Sequence, residues 1–250
     1  MKIFIVYKSH DPGHLEQRLR EKTDLTLIAY GDISKYPLDG YLYFSQGVLK
    51  LQLISVARMG PLFVSFNQLE RRAKDSLFQQ GLIKAVGIGK GKRPSIVDGT
   101  AGLGSDSFLM ASTGSTVSLF ERNSIIYELL SDGLRRYESK GANALGVLGR
   151  MHLEKRDFLK CDDLKASHEV VYLDPMFPIT KKNSLSKKPM HYLQTILREE
   201  TDEFEMISLA RQIATKRIVV KRGIQSPSLA GQDADITYRG SSSRFDVYLL

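Results

Sequence analysis

Only one cysteine, Cys161, occurs in the 250 residues. A single thiol builds neither a disulfide framework nor a thiolate metal site. The histidines stand at positions 10, 14, 152, 168 and 191, and only His10 and His14 are closely spaced. That pair flanks Pro12 and Gly13 in a turn, which reads as surface rather than as a metal site. No stretch approaches the ~20 apolar residues of a membrane span. The apolar start, Met1 to Tyr7, is too short for the core of a secretory signal. Internal repeats and low-complexity tracts are also missing. These absences predict a soluble, cytoplasmic protein with no metal and no membrane partner. Acidic residues are in the minority: 28 Asp and Glu face 36 Lys and Arg, a net charge of +8 and a pI near 9.4. A basic excess of that size favours a polyanionic partner, nucleic acid before membrane.

What is present is ample apolar material, 42 % of the chain. The length suits one large domain with a small appendage. Residues 1–61 read as that appendage, a small α+β domain. Strands are predicted at 3–7, 25–30, 40–44 and 48–51, with a short helix over 15–22. Tyr36, Tyr41 and Tyr43 read as core or rim packing rather than as a stacking surface for RNA bases. Gly60-Pro61 marks the boundary, and residues 62–250 form the larger domain. Apolar spacing predicts a helix from Asn67 to Val86. Arg71, Arg72 and Lys74 on its other face are either a solvated face or a phosphate-facing stripe. Residues 87–94 read as a basic linker. They do not form a phosphate-gripping P-loop, because a proline and a strand follow where a helix should begin.

From Ser95 onward strands and helices alternate, the pattern of a parallel sheet covered on both faces. Strands are predicted at 96–98, 116–120, 151–155, 170–173 and 217–221, with a closing hairpin over 234–238 and 244–250. The helices fall at 105–112, 124–137, 189–197 and 202–214. Ser124 is the expected N-cap of the second, and Asp202 with Glu205 the capping box of the last.

The first of these strands ends at Asp98, and Gly99, Gly102 and Gly104 follow before a helix opens at Ser105-Asp106. Such glycines let backbone approach a ligand where a Cβ would block it. Asp98, Glu121, Asp157, Asp174 and Lys221-Arg222 all end strands, so one sheet edge gathers them. Glu121 lies 23 residues beyond Asp98, close to the ~20 expected of an acid that binds a ribose diol. A nicotinamide dinucleotide fits poorly. Its third glycine or alanine is replaced by Ser107, and an acid at the mouth of the turn repels a pyrophosphate. S-adenosylmethionine has a cationic amino group for Asp98, a ribose diol for Glu121, and no phosphate.

The segment Val170-Val171-Tyr172-Leu173-Asp174-Pro175-Met176-Phe177-Pro178 resembles the Asp/Asn-Pro-Pro-Tyr/Phe loop of methyltransferases that modify exocyclic amines, with Met176 in place of a proline. The chemistry calls for these residue types. The Asp174 carboxylate and the Pro175 carbonyl can hold the two N–H groups of a ring amine and turn its lone pair toward a methyl donor. Phe177 can stack on the base. Positioning then carries most of the catalysis. This loop does not distinguish guanine from adenine.

Taken in order, five segments are similar to the bacterial ribosomal RNA small-subunit methyltransferase J family. They are Asp98 to Asp106, Phe120 to Asn123, Val170 to Pro178, Ala214 to Arg222 and Arg244 to Tyr248. The resemblance covers residues 62–250 well and the first 60 loosely. It implies a class I S-adenosylmethionine-dependent methyltransferase fold, a Rossmann-like α/β domain whose seven-stranded sheet has an antiparallel last strand. It implies methylation of a guanine N2 in 16S rRNA, free or in the 30S subunit. It also implies cofactor contacts at Ser105, Asp106, Glu121, Arg122, Arg156, Asp157 and Asp174, alongside Asp98, Gly102 and Gly104 read from the turn. Lys181, Lys182, Lys187, Lys188, Lys221 and Arg222 are the expected contacts to RNA phosphates. Two other readings stay open: methylation of a different exocyclic amine such as adenine N6, and a non-catalytic rRNA-binding assembly factor.

Overall fold

A computed structural model describes residues 1–8, 11, 13–67, 69–70, 77–139, 141–175, 188–196 and 202–250. The chain forms two compact units. One comprises Met1–Ser65, Asn123–Arg136 and Pro178–Arg198, the other Phe66–Arg122, Tyr137–Phe177 and Glu199–Leu250.

The first unit holds a four-stranded sheet of β1 (Ile3–Tyr7), β2 (Leu27–Ala29), β3 (Gly40–Ser45) and β4 (Val48–Leu53), in the order β2-β1-β3-β4. β1 runs parallel to β2 and β3, and β3 runs antiparallel to β4. The β3–β4 turn has two residues, Gln46 and Gly47, both left-handed at φ 54° and 71°. Such a turn matches the twist of the strands it joins. Leu49, Leu51 and Leu53 alternate inward along β4 with almost no exposure, the period of a half-buried strand. The helix Ser124–Glu138 begins in this unit. Its cap is Asn123 rather than the expected Ser124: the Asn123 side-chain oxygen accepts from the amides of Ile125 (3.0 Å) and Ile126 (3.2 Å).

The second unit is built on seven strands: β5 (Ile96–Asp98), β6 (Val117–Phe120), β7 (Met151–Glu154), β8 (His168–Leu173), β9 (Ala214–Gly223), β10 (Ile236–Arg239) and β11 (Ser243–Leu249). Their order is β7-β6-β5-β8-β9-β11-β10. β5 through β9 pair in parallel. β11 pairs antiparallel with both β9 and β10, so it alone runs against the rest. After β5 the chain moves outward through β6 and β7, then returns to the other side of β5 as β8. The carboxyl ends of β5 and β8 therefore flank the switch point of the sheet, where open α/β sheets bind ligands. The helix Glu203–Ile213 buries Ile207, Ala210 and Ile213 in a core with Val97, Phe158, Val171, Leu173 and Val220.

Three local expectations change. Gln80 is extended (φ −66°, ψ 140°), so no helix runs unbroken from Asn67 to Val86. A 3-10 turn, Leu77–Gln79, and a short helix, Gly81–Ala85, replace its second half. The break falls beside Gly81, a residue of weak helix propensity, and the short helix that follows buries Leu82, Ile83 and Ala85 while Lys84 stays exposed. Arg71, Arg72 and Lys74 lie outside the described residues. Residues 87–94 hold a tight turn, not a loose linker: Gly89 and Lys92 form an isolated bridge, and Arg93 Nη1 donates to Gly89 O (2.7 Å) and Lys92 O (2.8 Å). Asp202 makes no side-chain cap; its carboxylate lies 3.6 Å from Arg122 Nη1.

Candidate functional site

The turn after β5 is held by its own residues. Gly99 N donates to Tyr172 O at 3.0 Å, which continues the β5–β8 pairing one step past the strand. A Cβ on Gly99 would sit 2.7 Å from the Phe158 ring and 2.8 Å from Leu173 Cδ2, so only glycine fits there. Gly102 (φ 54°) and Gly104 (φ 73°) are left-handed, a conformation that costs glycine nothing. Gly104 caps the helix Ser105–Ser112 without a side chain, and Ser105 stands exposed at its start.

Asp98 is 2 % exposed. Its Oδ1 accepts from Thr100 N at 3.1 Å and its Oδ2 accepts from the Ser107 hydroxyl. Both oxygens thus shape the turn from within. Burial pushes the Asp98 carboxyl up to about 7, against the pull of those two hydrogen bonds. The value exceeds that of the unfolded chain, ~4. Its contribution to stability is therefore complete below about pH 4 and is lost as the pH rises through about 7. Asp98→Asn mimics the protonated form. Thermal unfolding of that variant is expected to show a flatter pH dependence over this range than the parent chain; an unchanged slope would remove Asp98 as its source.

Glu121 directly follows β6 and is 6 % exposed. Its Oε2 accepts from Gly102 N at 3.0 Å, and Ala101 N donates to Phe120 O at 3.0 Å. The acid predicted for a ribose thus also fixes the glycine turn. Next to it, Arg122 Nη1 lies 3.7 Å from Asp157 Oδ2. Asp157 Oδ1 caps the 3-10 turn Phe158–Lys160 by accepting from Leu159 N at 3.1 Å. Arg156 turns elsewhere: its guanidinium binds Asp163 and the Lys160 carbonyl. Its backbone amide, donating to Glu121 O at 3.2 Å, is what joins it to this edge.

At the end of β8, Asp174 N donates to Thr100 Oγ1 at 2.6 Å, which ties the Asp-Pro segment to the glycine turn. Lys221, on β9, donates to Asp174 Oδ2 (2.9 Å) and to Asp106 Oδ2 (2.8 Å). The Tyr172 hydroxyl donates to the same Asp106 oxygen at 2.6 Å. Burial works against the charge on Lys221, but Asp174 and Asp106 outweigh it and hold the ammonium above the ordinary lysine value. Burial, with the adjacent carboxylates, holds the Tyr172 hydroxyl protonated.

Two of the expected RNA contacts have partners within the fold. Arg222 is 2 % exposed and donates to Pro227 O (2.8 Å) and to Oε1 of the partly exposed Glu203 (3.1 Å). Lys221 faces the carboxylates of the site rather than an outer surface. Pro175 is buried. Phe177, Lys181, Lys182 and Lys187 lie outside the described residues. Lys188 is the first residue of the helix Lys188–Ile196.

Tyr172, Thr100 and Ser107 complete the network and were not singled out from the sequence. Tyr172 carried a faint signal, as the one hydroxyl in the apolar run of β8, two residues before Asp174. Among the described residues no cluster of three His, Cys, Asp or Glu could hold a metal ion, and no helix is long and apolar enough to cross a membrane.

A family model described as "Putative SAM-dependent methyltransferase" matches residues 33–250. The chain is 37 % identical over 254 residues to the ribosomal RNA small subunit methyltransferase J of Thioalkalivibrio sulfidiphilus, covering 99 % of this chain and 98 % of that one. To the protein of the same name from Coxiella burnetii it is 38 % identical over 212 residues, 84 % of this chain and 83 % of that one. A solved structure of a SAM-dependent methyltransferase from Neisseria gonorrhoeae superposes with a TM-score of 0.74 at 29 % identity, covering 99 % and 96 % of the two chains.

Proposed function

The chain belongs to the ribosomal RNA small subunit methyltransferase J family, and on that premise we propose that it methylates the exocyclic N2 amine of a guanosine in 16S rRNA. It is a SAM-dependent methyltransferase with a class I fold, and S-adenosylmethionine is its cofactor.

The donor set at the sheet edge fits that cofactor. Asp98, Asp106, Glu121, Asp157 and Asp174 make the edge acidic, and Lys221 is already paired within it. An acidic edge suits a ligand with a cationic amino-acid end and repels a pyrophosphate. Gly102 and Gly104 carry no Cβ at the turn a ligand would approach. In this reading Glu121 holds the ribose hydroxyls, Asp106 and Asp174 face the amino-acid end, and the Arg122–Asp157 pair borders the site. When bound, the cofactor supplies a sulfonium-activated methyl group.

The observation that carries the reading is the 2.6 Å hydrogen bond from Asp174 N to Thr100 Oγ1, because it anchors the acceptor acid to the donor turn. Asp174 Oδ1 and the Pro175 carbonyl take the two N–H groups of the amine and aim its lone pair. Phe177 stacks on the base. Burial raises the Asp174 carboxyl above its ordinary range, against the pull of Lys221, which suits it to accept the proton that the nitrogen sheds. The guanine reaches this position only if it is unpaired or flipped out. Lys181, Lys182, Lys187 and Lys188 supply phosphate contacts, residues 1–61 act as a small domain distinct from the methyltransferase domain 62–250, and the work is done in the cytoplasm on free 16S rRNA or the 30S subunit.

The test is transfer from S-adenosylmethionine to methyl-free 16S rRNA and to 30S particles, with the product nucleoside identified by mass and chromatography. N2-methylguanosine is expected. N6-methyladenosine would move the reading to adenine, and the absence of both transfer and cofactor binding would leave a non-catalytic rRNA-binding factor.

A further inference from the structure

We infer that Lys221 is a positioning residue for methyl transfer: by holding Asp174 through Oδ2 and bridging it to Asp106, it presents Asp174 Oδ1 to the acceptor amine. The inference rests on the reading of Asp174 as the acceptor acid.

The geometry is specific. One ammonium reaches two carboxylates that come from different elements, Asp106 from the helix after β5 and Asp174 from the end of β8. Lys221 itself stands near the end of β9, which is paired with β8, so the sheet sets where its stem begins. Its side chain is 26 % exposed, with Asp106 at 23 % and Asp174 at 33 %. Groups this sheltered interact more strongly than surface ion pairs. Among the described residues Asp174 Oδ2 is engaged by Lys221 while Oδ1 accepts no hydrogen bond. A carboxylate fixed at one oxygen can rotate little, and its other oxygen is left for a substrate N–H.

Charge gives the second argument. Asp174 is faced by Asp106 from the helix, Asp98 from β5, Tyr172 on its own strand and Lys221 from β9. Asp174 and Asp106 both meet the one cation, and Asp98 and the Tyr172 hydroxyl lie against those two acids. Without that cation, two carboxylates brought to one place would not both stay ionised, and a protonated Asp174 could no longer take the proton that the amine sheds. Tyr172 steadies the other end by donating to the Asp106 oxygen that Lys221 also uses.

The experiment compares the full chain with Lys221→Met, Lys221→Gln and Lys221→Arg. It measures kcat against pH on methyl-free 16S rRNA, with cofactor binding followed by calorimetry. In the two neutral variants the acid limb of kcat is expected to move up by about one pH unit or more, the change that loss of a nearby opposite charge produces. Activity should be recovered in part at higher pH, with KM for RNA unchanged. Lys221→Arg, which keeps the charge, should keep the parent profile. A neutral variant with an unmoved acid limb, or with an equal loss at every pH, would overturn the inference. So would loss of the folded state in both neutral variants while Lys221→Arg folds, since the lysine would then be serving the fold. Asp174→Asn separates the two claims. If that variant stays active, the reading of Asp174 itself falls; if it is inactive and the Lys221 variants titrate like the parent, only the role of Lys221 falls.

Discussion

Asp174→Ala is expected to lower kcat by about 10²–10⁴-fold, the range for loss of a positioned acid–base group, with little change in the melting temperature. The two halves of that expectation have separate origins. The fold retains its hold on the segment because the hydrogen bond to Thr100 Oγ1 comes from the backbone amide of residue 174, which alanine keeps. The side chain is one-third exposed, so its removal leaves no sealed cavity. What disappears is the oxygen that orients the amine and takes its proton. Pro175 O alone cannot fix both N–H groups, and the lone pair is then free to point away from the methyl group. Steady-state transfer with a thermal melt on the same sample checks both halves. Turnover near that of the parent chain would take Asp174 out of the chemistry.

The second large effect falls on cofactor affinity. Glu121→Ala is expected to weaken S-adenosylmethionine binding by about 1.5–3 kcal/mol, the loss of a hydrogen bond to a charged group, or roughly 10- to 150-fold in Kd. The substitution also leaves Gly102 N without the partner it now has at 3.0 Å, so the melting temperature should fall as well. Glu121→Gln distinguishes the two contributions. Its amide oxygen can still accept from Gly102 N, which keeps the turn, while the charge that grips a ribose diol is gone. Calorimetric titration is expected to rank the parent tightest, Gln intermediate and Ala weakest. Equal affinities across the three would contradict the ribose role.

Much of the larger unit is legible in the sequence because its signals are local. The run Ile96-Val97-Asp98 followed by spaced glycines marks a strand and a tight turn before a helix. That Asp98, Glu121, Asp157 and Asp174 share one sheet edge follows from the alternation of strands and helices. The antiparallel last strand was available through family resemblance, not through periodicity. Other features are set by partners distant in the chain. Lys221 and Arg222 read alike as a basic pair, yet they point to opposite faces of β9. One meets Asp106 and Asp174 and the other Glu203, and no local pattern tells them apart. Tyr172 hides in an apolar strand because a phenol serves both as core and as hydrogen-bond donor. Asn123 outcompeted Ser124 as a cap through the reach of its side chain, one residue earlier than the hydrophobic pattern suggested. Asp202 was drawn toward Arg122, a charge 80 residues earlier in the chain. The grouping of residues 123–136 and 178–198 with the first 65 is likewise a matter of tertiary contact, which linear boundaries such as Gly60-Pro61 do not encode.

The proposed reaction places a methyl group on a guanine N2 of 16S rRNA through Asp174. The most direct measurement is a quantitative nucleoside analysis of 16S rRNA from cells that lack the chain, then from the same cells supplied with the parent or with Asp174→Asn. N2-methylguanosine is expected to fall in the deficient cells and to be restored by the parent but not by Asp174→Asn. An unchanged N2-methylguanosine content in the deficient cells, or full restoration by Asp174→Asn, would contradict the proposed reaction.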